Sequence, residues 1–262
     1  MKRKKIGLAL GSGGIRGLAH IGVIKVLEKN NIPIDFIAGS SAGAFLGGLY
    51  AALGNSKLLE KLVFSMKWKQ ILSLIDPSFK GGLIKGKKIQ EFIEQIVGKT
   101  LIEELKIPFS AVATDFKTGE KVVISKGKLS TALLASGAFP LIVKPVKWKN
   151  HLLLDGGLSD PIPVDVVKKM GADLTIAVDL DSKFYPKQNA GRAFPSKIVR
   201  CIEILRHHLA QSCSQTADIW IAPEFSDLKL KEKIKIFGKT GKKIVQIGER
   251  ACEEIVPEIK KR

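Results

Sequence analysis

The sequence predicts a single α/β domain whose sheet is covered by helices on both faces. Three observations carry this expectation. Strand-like and helix-like apolar patterns alternate from the first residues onward. Several strand-like segments are continuous apolar runs, the pattern of strands buried on both sides. Glycine-rich turns, "GSGGIRG" at 11–17 and "GSSAG" at 39–43, stand where a strand hands over to a helix.

The elements follow in order. "KKIGLAL" (4–10) reads as a short buried strand. "IRGLAHIGVIKVLEKN" (15–30) reads as a helix, because Ile15, Leu18, Ala19, Gly22, Val23, Val26 and Leu27 recur at spacings of three and four. Asn30 and Asn31 end it, and Pro33 prevents its return. "IDFIAG" (34–39) is the next strand, and "AFLGGLYAALG" (44–54) an apolar helix closed by Gly54. Further strands are expected at 109–116, 121–125, 151–156, 174–180 and 218–223. Further helices are expected at 56–66, 86–97, 129–136, 163–170, 195–213 and 239–255. With no internal repeat and no Ser/Pro-rich linker, one domain over 1–262 is the economical organisation. Its motifs lie within 6–180, a helical cap-like insertion spans about 54–100, and a strand and helices fill 195–262. In the insertion, Trp68, Ile71, Leu72, Leu74, Ile75, Phe79 and Leu83 mix with lysines, as in a cap over a site, an interfacial patch, or an ordinary helical excursion.

Composition narrows the function classes. No apolar run reaches the ~18 residues that span a bilayer. The start, "MKRKK", is like the basic end of a signal peptide, but the following "IGLALGSGG" breaks into glycine and lacks a cleavage-like region, so a cytoplasmic protein is expected. Cys201, Cys213 and Cys252 are widely spaced, without a C-x-x-C pair, so buried inert thiols are expected rather than a zinc site. The formal charge of +18 suits anionic lipid surfaces or nucleic acid. The lysines are spread in short bursts at 2–5, 85–88, 144–149 and 229–243, and no nucleic-acid module accompanies them. A lysine-rich solvated surface accounts for them equally well.

The chemistry gathers at the turns. Gly39-Ser40-Ser41-Ala42-Gly43 is a G-x-S-x-G pattern between a strand and a helix, which exposes its central serine on a strained bend at a helix N-terminus. Ser40 precedes the nucleophile position and should point into the fold. The Gly11–Gly17 loop offers backbone amides to an anion, as a phosphate cradle or an oxyanion hole. It lacks the third glycine of a dinucleotide fingerprint, because Arg16 stands there, which favours the oxyanion reading. Arg16 itself can bind a carboxylate or phosphate, or pair on the surface. A seryl nucleophile needs a base, and the histidines are His20, His151, His207 and His208. None sits in a turn of this kind. In "LLLDGGLSDPIP", Asp155 ends an apolar strand ahead of Gly156 and Gly157, where a buried carboxylate can have its pKa raised toward a working range.

These motifs, in this order, resemble the patatin-like phospholipase family over at least 6–178. "IGLALGSGGIRGLAHIGVIKVLE" resembles its glycine-rich loop and first helix, "GSSAG" its nucleophile elbow, "ASGAFP" (135–140) a segment before the acid, and "DGG" its aspartate motif. The resemblance implies a three-layer α/β/α fold with a mostly parallel central sheet. It implies Ser41 as nucleophile, Asp155 as its activator without histidine, and the amides around Gly13 and Gly14 as oxyanion hole. Gly11, Arg16, Gly17, Gly39, Gly43, Gly156 and Gly157 complete the motifs. Ser12 departs from the family's usual G-G-G-x-R-G loop by holding its first glycine position. The implied activity is lipid ester hydrolysis without metal or other cofactor, with an anionic membrane surface as peripheral partner and no specific nucleic acid. Lipid head group and oligomeric state stay open. Three rivals are an α/β-hydrolase triad of Ser41, Asp155 and His208, a non-catalytic lipid- or nucleotide-binding regulator, and a nucleic-acid binder suggested by the +18 charge.

Overall fold

Strand β1 (Ile6–Leu10) is buried along its whole length, and its alternating side chains divide the core in two. Leu8 and Leu10 face one helical layer, while the smaller Ala9 faces the other. The computed structural model describes residues 3–65, 76, 84–181, 183, 194–226 and 238–262. The apolar cap candidates Trp68, Ile71, Leu72, Leu74, Ile75, Phe79 and Leu83 lie outside the described residues, as does most of the lysine burst at 229–243.

After β1, a 3-10 turn (Gly14–Leu18) leads into α1 (Ala19–Lys29), followed by β2 (Phe36–Ser40), α2 (Ala42–Leu53) and α3 (Ser56–Ser65). Next come α4 (Lys87–Val97), β3 (Phe109–Asp115), β4 (Lys121–Ile124), α5 (Leu129–Ser136), β5 (Val146–Trp148) and β6 (His151–Asp155). The described chain closes with α6 (Val164–Lys169), β7 (Leu174–Val178), α7 (Phe194–Ser214), β8 (Ile219–Ile221) and α8 (Lys239–Lys261). The sheet order is β5-β6-β3-β2-β1-β7-β8, with β4 paired to β3. Strands β3, β2, β1, β7 and β8 are mutually parallel; β4, β5 and β6 add antiparallel pairs. Helices α1, α2, α3, α5 and α8 pack on the larger core, and α6 and α7 on the other face, giving three layers.

The ladder on β3 decides where the site falls. Gly39 and Ser40 of β2 pair with Ala111 and Val112, while Asp155 of β6 pairs with Ala113. Strand β4 pairs with Ala111 through Thr114 as well. A residue in a sheet has one hydrogen-bonding neighbour on each side. Strands β2 and β6 therefore share the edge of β3 that β4 leaves free, and meet end to end with Ser40 and Asp155 in adjacent positions. Asp155 stands at the C-terminal end of its strand, as the sequence suggested, and that strand runs antiparallel to β3.

Two helix boundaries and one added strand show where packing departs from the sequence expectation. The expected helix at 15–30 begins as a 3-10 turn, which brings Gly17 so close to Ala42 that a Cβ on it would lie 2.5 Å from the Ala42 Cβ. Strand β5 was not expected, since three residues show no period; it forms because the hairpin lays it against β6. Helix α8 continues through Pro257 to Lys261, because Val256 and Ile259 extend its buried face beyond the lost hydrogen bond.

Helices α1 and α8 cross backbone to backbone. A Cβ on Gly22 would lie 2.1 Å from the Val245 carbonyl oxygen, and one on Gly248 would lie 2.0 Å from that of Ala19. Gly248→Ala is therefore expected to destabilise the fold by about 2–3 kcal/mol, despite the better helix propensity of alanine. Urea denaturation of the purified variant against the parent measures this.

Candidate active site

Ser41 lies between β2 and α2 with φ 55° and ψ −119°, a left-handed backbone that few non-glycine residues adopt. The turn holds that strain because its neighbours leave no room to relax. A Cβ on Gly43 would lie 2.1 Å from the Leu10 carbonyl oxygen, and one on Gly39 would lie 2.4 Å from the Ala44 nitrogen. The Ser41 amide donates to Ser136 Oγ at 2.9 Å, and Ser136 Oγ donates to the Val112 carbonyl at 2.5 Å. Ser40 is fully buried and its hydroxyl donates to the Asp160 carbonyl, so it faces into the fold as expected.

The Ser41 hydroxyl donates to Asp155 Oδ2 at 2.6 Å. The other carboxylate oxygen accepts the Gly157 amide at 2.8 Å. Backbone bonds hold the residue itself: its amide donates to the Ala138 carbonyl at 3.0 Å, and its carbonyl accepts the Thr114 hydroxyl at 2.8 Å. Gly156 follows because a Cβ there would lie 2.1 Å from the Val112 carbonyl oxygen. Asp155 is 2% exposed. Burial pushes its carboxyl above the usual range, while the Ser41 hydroxyl, the Gly157 amide and the nearby Arg206 charge pull it back.

The glycine-rich loop borders the same space. Its Gly11 and Ser12 amides are engaged by the Val178 and Pro161 carbonyls, at 3.0 and 2.8 Å. His20, fully buried, binds the Gly11 carbonyl through Nε2 at 2.7 Å. Burial pushes the imidazole down to about 4, so it is neutral and its Nε2–H donates. Gly14 lines the cavity beside Ser41. The cavity has a volume of about 420 Å³ and a mostly apolar wall that includes Phe45, Leu46, Ile93, Leu133, Leu134 and Val143. That size is within the ~300–1,000 Å³ of small-molecule sites.

Behind the loop lies a buried ion cluster. Asp181, just beyond β7, accepts Arg206 Nε at 2.6 Å and Arg206 Nη2 at 3.2 Å, and also pairs with Arg16 Nη2. Arg16 Nη1 donates to the Leu180 carbonyl at 2.6 Å, and Ser12 Oγ donates to Asp181 at 3.3 Å. Of the readings open for Arg16, the structure takes the carboxylate one, in the interior. Burial works against the Asp181 charge, but the two guanidiniums outweigh it and hold its carboxyl below the usual range. The Arg206 stem also packs beside Gly157, where an added Cβ would lie 3.1 Å from Arg206 Cδ.

A family model described as patatin-like phospholipase matches residues 8–168. The chain belongs to that family. An uncharacterized NTE family protein of Mycobacterium tuberculosis is 44% identical over 178 residues, covering 68% of this chain and 49% of the relative. The lysophospholipase NTE1 of Debaryomyces hansenii is 35% identical over 189 residues, covering 70% of this chain and 12% of the relative. The chain thus spans about half the length of the mycobacterial relative and a small part of the yeast one. Among solved structures, VipD from Legionella pneumophila superposes with a TM-score of 0.66 at 13% identity, covering 98% of this chain and 67% of that one. That likeness concerns the patatin-like fold.

Within this patatin-like frame, the structure brings together Ser41, Asp155, Gly14, Gly39, Gly43, Gly156 and Gly157, and holds Gly11, Gly13, Arg16 and Gly17 in the adjoining loop. Among the described residues, none of the histidines is bonded to Ser41 or Asp155: His20 holds the Gly11 carbonyl, His207 binds the Asp181 carbonyl at 2.7 Å, His151 binds Asp115, and His208 is exposed. Sequence reasoning missed Asp181, Arg206 and Ser136. Asp181 carried a signal, since an acidic residue closes the apolar run "LTIAVDLD". Arg206 carried none, because its helix pattern says nothing of a partner 25 residues upstream. Asp181→Asn leaves two buried guanidiniums facing a neutral amide, and is expected to cost about 3–5 kcal/mol. Thermal denaturation at neutral pH checks it; an unchanged midpoint would remove the cluster from the account of stability.

Proposed function

We propose that this chain hydrolyses carboxylic esters of lipids through an acyl-enzyme on Ser41, with Asp155 as its base. The observation that carries this reading is the 2.6 Å bond from Ser41 Oγ to Asp155 Oδ2, made at the wall of an apolar cavity. Ser41 Oγ attacks the ester carbonyl carbon as its proton passes to Asp155. The Gly13 and Gly14 amides receive the negative oxygen; the neighbouring Gly11 and Ser12 amides are already spent on carbonyls. Collapse breaks the ester C–O bond, and Asp155 returns the proton to the leaving alkoxide. Asp155 then takes a proton from water as the water oxygen attacks the acyl carbon; collapse breaks the bond to Ser41 Oγ, and Asp155 returns the proton to Oγ as the fatty acid leaves.

The apolar wall suits an acyl chain, and a relative named as a lysophospholipase favours a phospholipid-derived ester as substrate. Among the described residues, no helix is long and apolar enough to cross a membrane, so contact with lipid is read as peripheral. The Ser41–Asp155–His208 alternative is disfavoured, because the serine hydroxyl meets the carboxylate directly and His208 is exposed.

Ser41→Ala and Asp155→Asn are each expected to lower ester hydrolysis by ~10³-fold or more, and Ser41→Ala to abolish labelling by a fluorophosphonate. His208→Ala should keep full activity. Full activity in either dyad variant would sink the mechanism. Because Asp155 must be ionised to accept the proton, kcat/KM should rise with pH through an acid limb above ~3.9, the ordinary aspartate value. The same raised pKa means that the ionised carboxylate burdens the native state at neutral pH. Asp155→Asn should therefore melt no lower than the parent at pH 7, with its advantage shrinking as the pH falls and the parent carboxyl protonates. A pH–rate profile and melting curves at several pH values read both effects.

A further inference from the structure

The turn after α5 combines features that the hydrolytic site does not use. Its backbone is closed by bonds from the Ile142 and Val143 amides to the Phe139 carbonyl, at 3.1 and 3.0 Å. It is joined to the start of α4 by Ile84 N–H to the Ile142 carbonyl and Lys144 N–H to the Ile84 carbonyl, at 2.9 and 3.0 Å. Leu134, Ala138 and Val143 form a small buried cluster beneath it, with Ile89 and Val146 packed alongside. On this firm base Leu141 and Ile142 stand out at 41% and 42% exposure. Leu141 has φ 70°, a conformation that disfavours any side chain with a Cβ. Strain of this kind persists where the surroundings enforce it; Ser41, Asn31 and Lys149 also have positive φ.

Lysines stand in both of the segments joined at this turn. Lys85, Lys87 and Lys88 lie on the joined α4 segment, and Lys144, Lys147 and Lys149 follow the turn. All but Lys144 are exposed. Neither 84–90 nor 137–150 contains an aspartate or glutamate. Glu91 reaches Lys87 at 3.6 Å. Asp76 is buried and spends its carboxylate on the Gly86, Lys87 and Lys88 amides, so it faces inward. Lys149 lies over the Trp148 ring at 4.5 Å. Two protruding aliphatic side chains on joined segments that carry these lysines match the boundary of an anionic bilayer, where hydrocarbon lies beneath a layer of negative charge. The patch adjoins the cavity, since Gly137 and Val143 of the turn and Ile89 of α4 line its wall.

We infer that Leu141 and Ile142, with these six lysines, form the surface with which this protein docks on anionic lipid bilayers, so that its cavity faces the membrane. The choice of a lipid surface rests on the lipid-hydrolase reading above, but its test does not require catalysis. Ser41→Ala protein is mixed with phosphatidylcholine vesicles, with and without phosphatidylglycerol, and sedimented. The expected result is binding to the anionic vesicles that weakens as salt is raised. Adding Leu141→Gly and Ile142→Ser should reduce the partition at least about tenfold. The melting temperature should stay level or rise, because glycine suits the backbone at 141. Lys147→Glu with Lys149→Glu, on exposed side chains, should reduce binding by a similar factor. Partition unchanged by both sets of substitutions overturns the proposal. So does a dimer that Leu141→Gly dissolves while the parent binds no vesicles, which would make the patch a contact between copies. In a Ser41-containing background, the apolar variant should still hydrolyse a short water-soluble ester at the parent rate while losing activity on vesicle-borne lipid. If no ester is hydrolysed at all, the function fails while the vesicle result still stands on its own.

Discussion

A strand has two hydrogen-bonding edges, and on β3 one of them is taken by β4 over Ala111 to Thr114. The remaining edge carries β2 on its first half and β6 on its second, running toward each other. Two strand ends thus meet head to head, with Ser40 and Asp155 opposite neighbouring residues of one rigid strand. Much of the site follows from that encounter. The chain leaving β2 must turn away at once, which puts Ser41 in its strained conformation and brings Gly43 onto the carbonyl of Leu10. The chain leaving β6 must turn as sharply, which presses Gly156 onto the carbonyl of Val112. The small residues are where the backbones touch, and the hydroxyl and the carboxylate are what project from the contact.

Electrostatics complete the arrangement. Asp155 is desolvated by the meeting of the strands, which favours its neutral form, and the role proposed for it, that of a base, nonetheless requires it ionised. The balance comes from a hydroxyl, an amide and the field of Arg206, itself tied to Asp181 and through it to Arg16. This cluster links the glycine-rich loop, the end of β7, helix α7 and the turn after Asp155 across the interior. A buried ion triplet is a weak source of net stability. Here it connects the segment proposed to receive the oxyanion with the segment that carries the proposed base.

The strands and helices were readable from periodicity because both faces of this sheet are covered. Continuous apolar runs such as "FSAVATD" and "LTIAV" leave little ambiguity, and Gly54 stops α2 as its position suggests. The limits of that reading lie where local pattern and tertiary packing part. Three residues of β5 have no period, and their pairing comes from the hairpin with His151. Pro257 argues for a helix end, yet Val256 and Ile259 stay buried and the helix runs on. Asp155 was legible as a carboxylate in a glycine turn, but not the antiparallel direction of its strand. Arg16 was legible as a charge on the loop, but not its burial.

Residue types and their order were enough to point to Ser41, Asp155 and the glycines around them, since tight turns and close backbone approaches restrict which side chains can stand there. That restriction is local, and a linear sequence records it. The 2.6 Å bond across 114 residues, the pairing of Arg206 with Asp181, and the exposure of Leu141 and Ile142 came from the folded chain alone. They depend on strand register, strand direction and the packing of distant helices, which arise from the summed burial of many side chains and are written at no single position.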